Sequence, residues 1–103
     1  MTGPRRGRLE LDTNAVVWRE VDEEIIVLEL STAVYLTVNG SACPLWLRLT
    51  HGATADELAS VLVEEYAITL ERAAADVDAF LDALAARSLL RASESEARLD
   101  PAG

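Results

Sequence analysis

The chain reads as an α+β fold in which a three-stranded antiparallel sheet is followed by a three-helix bundle. Three observations predict it. Three strand-like runs joined by short polar turns occupy residues 15–38. Three amphipathic, capped helical runs occupy residues 41–87. The two kinds of element are segregated rather than alternating, which is the pattern of an α+β domain.

The strands come first. Residues 15–20 (AVVWRE) are β-branched and aromatic, and residues 21–24 (VDEE) supply a polar turn. Residues 25–30 (IIVLEL) carry the strongest strand signal. Alternation puts Ile26, Leu28 and Leu30 on one face and Ile25, Val27 and Glu29 on the other, and Glu29 marks the second face as the wet one. Ser31-Thr32 forms the next turn. Residues 33–38 (AVYLTV) form the third strand, with Val34, Leu36 and Val38 on the core face and Tyr35 and Thr37 opposite. Such short turns predict a meander of antiparallel strands.

Asn39-Gly40 ends the third strand. Ser41 is the expected N-cap of the first helix, which places Pro44 in the first turn, where a missing N–H is tolerated. Ala42, Leu45, Trp46 and Leu49 then share one face, and Gly52 stops the helix. Thr54 and Glu57 match a capping box that opens the second helix, which runs to about Tyr66 with Leu58, Val61, Leu62 and Tyr66 on its apolar side. Thr69 caps the third helix. Its apolar stripe is Ala73, Val77, Phe80, Leu81 and Leu84, and it ends near Arg87-Ser88. Glu71 and Asp76 sit toward the positive end of its dipole.

At 103 residues the chain has room for one domain. Residues 1–14 are interrupted by Gly3, Pro4 and Gly7 and read as a flexible N-terminal arm. Residues 15–91 form the domain, and residues 92–103 a flexible tail. No internal repeat is visible. The formal net charge of −9 comes from eighteen acids against nine bases. A nucleic-acid binder needs clustered cations to displace counterions, and these bases are scattered, so no nucleic-acid partner is expected. A single cysteine, Cys43, allows no internal disulfide and suits a reducing, cytoplasmic setting. No apolar run approaches the roughly 18 residues that a membrane span needs, and the polar, basic start is not a secretory signal. No membrane contact is expected.

Catalysis finds little support. His51 is the lone histidine, and Cys43 lies two helical turns from it, beyond hydrogen-bond reach. No metal-ligand spacing and no phosphate-cradling glycine loop occur, so neither a catalytic site, nor a metal, nor a cofactor is expected. Trp46 and Phe80 read as core, and Trp18 sits on a strand at the start of the domain. The third strand is the better clue. It has no charge between Ala33 and Val38 and lacks the lysine or proline that blunts an edge. Such an edge suits capture of an extended peptide as an added strand.

The run Val34-Tyr35-Leu36-Thr37-Val38-Asn39-Gly40, then Leu45-Trp46, His51-Gly52-Ala53-Thr54 and Glu57-Leu58, resembles the signature of the PqqD-like family. Glu65-Tyr66, residues 73–77 (AAADV), Phe80-Leu81, Leu84 and Leu89-Leu90 are similar to its later part, so the resemblance covers residues 16–90. The spacing from Tyr35 to Asn39 is one residue longer than the family pattern, and Ser88 stands where glycine is common. Members are RiPP recognition elements. The resemblance implies a winged helix-turn-helix-like βββααα fold. It implies that the leader segment of a ribosomal precursor peptide binds as an antiparallel strand on the third strand. The implied maturation partner is a radical SAM enzyme, a leader peptidase or a cyclase. The helix pattern is also similar to small proteins of lasso-peptide clusters, which work with a cysteine protease. The groove floor would then be Val34, Tyr35, Leu36, Thr37 and Val38. Its wall would be the side of the third helix that carries Arg72, Ala75, Asp76, Ala79 and Ala83. The competing readings are a winged-helix DNA-binding or protein-interaction domain, a small enzyme and an edge-paired dimer.

Overall fold

The computed structural model describes residues 7–92 of the chain. Nine elements follow one another: β1 (Arg8–Leu11), β2 (Val16–Val21), β3 (Glu24–Glu29), β4 (Val34–Val38), α1 (Ala42–Leu49), β5 (Ala53–Thr54), α2 (Ala55–Tyr66), α3 (Leu70–Ala86) and β6 (Leu90–Ala92). They build a mixed α/β domain with two three-stranded antiparallel sheets and three helices. The expected order, three strands and then three helices, is therefore incomplete. The meander and the helices are present, but three short strands form a second sheet in the order β5-β1-β6.

That second sheet corrects the reading of residues 1–14 as a loose arm. Leu9 and Leu11 are buried, and β1 pairs with both β5 and β6. The Arg8 guanidinium donates to the Gly52 carbonyl at 2.8 Å and reaches Glu57, while the Asp12 N–H donates to the Leu89 carbonyl. The segment is thus stapled to the ends of α1, α2 and α3. Ala92, placed in the tail from sequence, closes this sheet as the last residue of β6. The rest of the tail and the first six residues lie outside the described residues.

The meander runs β2-β3-β4. Asp22, at φ 57°, makes the first hairpin tight, and Ala33, at φ 60°, closes the second. Alternation along β3 is as expected, but its polarity is reversed. Ile25, Val27 and Glu29 are the buried set, and Ile26 and Leu28 lie on the outer face. The inner face meets α1, where Trp46 is 1% exposed and stacks edge-on against Trp18 at 6.1 Å. Leu45, Leu49, Leu58, Leu62, Ala73, Val77, Leu81 and Leu84 complete one continuous core.

The helix ends follow from local chemistry. Thr54 and Glu57 form the full capping box, and the Thr69 hydroxyl accepts from the Arg72 N–H at 3.1 Å. Ser41 holds the N-cap position of α1, yet its side chain makes no capping bond, and the turn closes through backbone bonds from Ala42 and Cys43 to Asn39 and Gly40. α2 ends with Ala67 in the left-handed region at φ 55°.

Candidate functional site

β4 is the outermost strand of its sheet, and among the described residues no strand pairs with its far side. Which of its backbone groups point outward follows from the ladder. The Leu30 N–H donates to the Ala15 carbonyl, so the even-numbered residues of β3 bond toward β2 and the odd-numbered ones toward β4. Val27 pairs with Leu36 and Ile25 with Val38. Leu36 and Val38 therefore spend their backbone groups on β3, while the Val34 N–H donates to the Thr32 hydroxyl within the turn at 3.3 Å. Tyr35 and Thr37 direct their N–H and C=O groups to the open edge.

The side chains of β4 divide between two faces. Leu36 and Val38 are half-buried against the core, and Val34 is 42% exposed on the same side. Tyr35 is 70% exposed on the outer face. There it lines a shallow cavity of about 350 Å³ with Val17, Ile26 and Leu28. β4 itself carries no charge, and Arg19 of β2 lines the outer cavity beside Tyr35.

On α3, Ala73, Val77, Leu81 and Leu84 form the buried stripe. Arg72, Asp76, Ala79, Ala83 and Arg87 follow one another at i, i+4, i+7, i+11 and i+15, a neighbouring stripe bordered by Ala75 and Phe80. Ala75, Ala79 and Ala83 are exposed, and Phe80 is half-buried against the core. Arg72 forms an ion pair with Asp76 at 3.6 Å, one helical turn away. At the end of the stripe, Arg87 Nη1 lies 3.1 Å from Glu29 Oε1. Glu29 is paired with Val34 across the ladder, so the stripe and β4 converge at this end.

Sequence reasoning missed the part Glu29 plays at this end. Glu29, assigned from sequence to the wet face, is 3% exposed and is held by Arg87 and by the Thr32 hydroxyl at 2.8 Å. A carboxylate tolerates such burial only when it is charge-paired and hydrogen-bonded. The available signal was a lone arginine at the end of a helix otherwise flanked by acids.

Of the residues weighed for catalysis, Cys43 sits against the end of β4. The Cys43 thiol donates to the Val38 and Glu23 carbonyls. Burial pushes its pKa up, and the Glu20 and Glu24 carboxylates push it further. That disfavours the thiolate, which is the nucleophilic form. His51 is exposed beyond the end of α1, in a surface hollow with Arg48 and Glu64. Among the described residues no group of three or more His, Cys, Asp or Glu side chains could hold a metal ion. Among the described residues no helix is long and apolar enough to cross a membrane.

What fold and edge define is a small mixed α/β domain with an open, uncharged sheet edge beside a helix of small residues. The chain belongs to the PqqD family: the model for coenzyme PQQ synthesis protein D matches residues 24–90. Its structure is similar to that of TbiB1, solved in complex with the TbiA(beta) leader peptide, at a TM-score of 0.74 and 27% identity. The match covers 82% of this chain and 96% of TbiB1. No curated protein matches.

Proposed function

We propose that this chain is a RiPP recognition element. It binds the leader segment of a ribosomal precursor peptide as an extra antiparallel strand on β4 and presents it to a maturation enzyme. The observation that carries this reading is the open edge of β4, where Tyr35 and Thr37 offer two N–H and two C=O groups. Family membership and the leader-bound state of TbiB1 support it. The β2-β3-β4 meander ahead of the three helices supports a winged helix-turn-helix-like arrangement.

In this reading Val34, Leu36 and Val38 form the groove floor, while Tyr35 and Thr37 supply the ladder bonds. Arg72, Ala75, Asp76, Ala79 and Ala83 form the wall. Alanines there leave room for ligand side chains that alternate into the groove. The role is non-catalytic and cytoplasmic. A radical SAM enzyme, a leader peptidase or a cyclase is the partner that acts on the presented precursor.

Proline scanning of the edge tests this. Tyr35→Pro and Thr37→Pro each delete an outward N–H without touching the ladder to β3, and edge strands accept proline at such positions. Each variant should keep its circular dichroism spectrum and bind a leader peptide at least about tenfold more weakly, the value of one well-made hydrogen bond. Leu36→Pro should instead unfold the sheet. Unchanged affinity in both edge variants would refute strand addition at β4.

A further inference from the structure

We infer that Arg87 is a specificity residue which reads a carboxylate on the bound peptide and so fixes the register and direction of the added strand. The inference rests on strand addition at β4.

Three observations carry it. The Arg87 side chain is 45% exposed, and it gives Nη1 to the buried Glu29. Its fork of five N–H donors, of which Glu29 engages one end, can serve a second carboxylate. Glu29 is the ladder partner of Val34, so the guanidinium stands beside the first residue of β4, on the groove side of the sheet. Val34 stands in the half of the ladder that faces β3, and its N–H is taken by the Thr32 hydroxyl inside the β3–β4 turn. A peptide residue opposite it therefore forms a non-hydrogen-bonded pair, the pair type in which side chains approach most closely.

An antiparallel peptide runs from Val38 toward Val34. If residue n lies opposite Val34, residues n−2 and n−4 lie opposite Leu36 and Val38. All three point into the groove. Residues n−2 and n−4 meet half-buried apolar side chains and the alanines of α3, which select apolar groups. Residue n meets Arg87, which selects Asp or Glu. The other end of β4 adjoins the β2–β3 hairpin with Glu20, Asp22, Glu23 and Glu24. A carboxylate on a reversed peptide would land among these acids and be repelled. The expected recognition pattern is apolar, any, apolar, any, acidic, read from the peptide's N-terminus.

The test is selection of a displayed library of random 12-residue peptides on the full chain, followed by affinity measurement on the enriched peptides. The expected result is enrichment of the apolar-x-apolar-x-acidic pattern. Changing the acid to its amide should weaken binding about three- to tenfold, as for a partly exposed charge-assisted pair. The double variant E29Q/R87Q removes the buried charge with its partner, so the fold is kept. It should lose the acid preference while retaining the apolar one. Arg87→Lys keeps charge but not the fork and should retain part of the preference. Enriched peptides without an acid at n, or an acid preference that survives in E29Q/R87Q, would overturn the inference and leave strand addition standing. Enrichment of no peptide would overturn both.

Discussion

Ser88 adopts φ 63°, in the left-handed region that glycine enters without steric penalty. The chain must reverse between the end of α3 and β6, and the Leu89 N–H returns to the Leu84 carbonyl. Ser88→Gly should raise stability by about 0.5–1 kcal/mol, the relief of the left-handed strain less the entropy of the added freedom. Urea unfolding checks this; a loss of stability would show that the serine is not strained. Glu29 and Arg87 make a second test, because their burial differs. Arg87→Ala leaves a carboxylate buried without its cation and should cost about 3 kcal/mol. Glu29→Gln keeps an acceptor for Thr32 and releases a half-exposed guanidinium to water, so it should cost about 1 kcal/mol. The combination of the two should be more stable than Arg87→Ala alone. Equal costs for the two single variants would contradict the burial assigned to Glu29.

The helices are the elements most legible in the sequence, since their punctuation is local chemistry. Thr54, Glu57 and Thr69 were readable as caps because the bonds they make span three residues. Thr54→Ala should cost about 1 kcal/mol, measured by thermal unfolding. The same cap carries a pH signature. The Thr54 N–H bond holds the Glu57 carboxyl below its ordinary range, and Arg8 lowers it further. A carboxylate lowered in the folded state adds stability above its unfolded value, near 4.5, and this is lost as pH falls through the lower folded value. The stability difference between wild type and Glu57→Gln should therefore shrink as pH drops from 6 to 3. The strands were half legible. Period-two alternation sorted the residues of β3 into two faces correctly. Which face is wet was not legible, because a glutamate marks solvent only when no cation covers it, and here an arginine 58 residues away neutralises Glu29. β1 was missed for another reason. Its alternation, Arg8 and Glu10 out against Leu9 and Leu11 in, spans four residues, and its partners β5 and β6 are shorter still. Only tertiary pairing makes it a strand.

Across the whole molecule, the sequence carried the meander, the helix order and the uncharged edge, and these position the candidate site. The Glu29–Arg87 pair that ties α3 to the start of β4 was not legible, because its two residues lie 58 positions apart. The charge of −9 also acts at this scale. α3 presents Glu71, Asp76, Asp78 and Asp82 against Arg72 and Arg87, a poor surface for phosphate. A gel shift at low salt with random duplex DNA should show no complex at micromolar protein, and a salt-sensitive complex would favour the DNA-binding alternative. The edge itself is tested most directly by amide hydrogen exchange, read residue by residue by NMR, with and without the tightest peptide from the displayed library. The Tyr35 and Thr37 amides should exchange freely in the unbound protein and become strongly protected on binding, while those of Val34, Leu36 and Val38 stay protected throughout. Saturating peptide that leaves Tyr35 and Thr37 exchanging as before would contradict strand addition on β4.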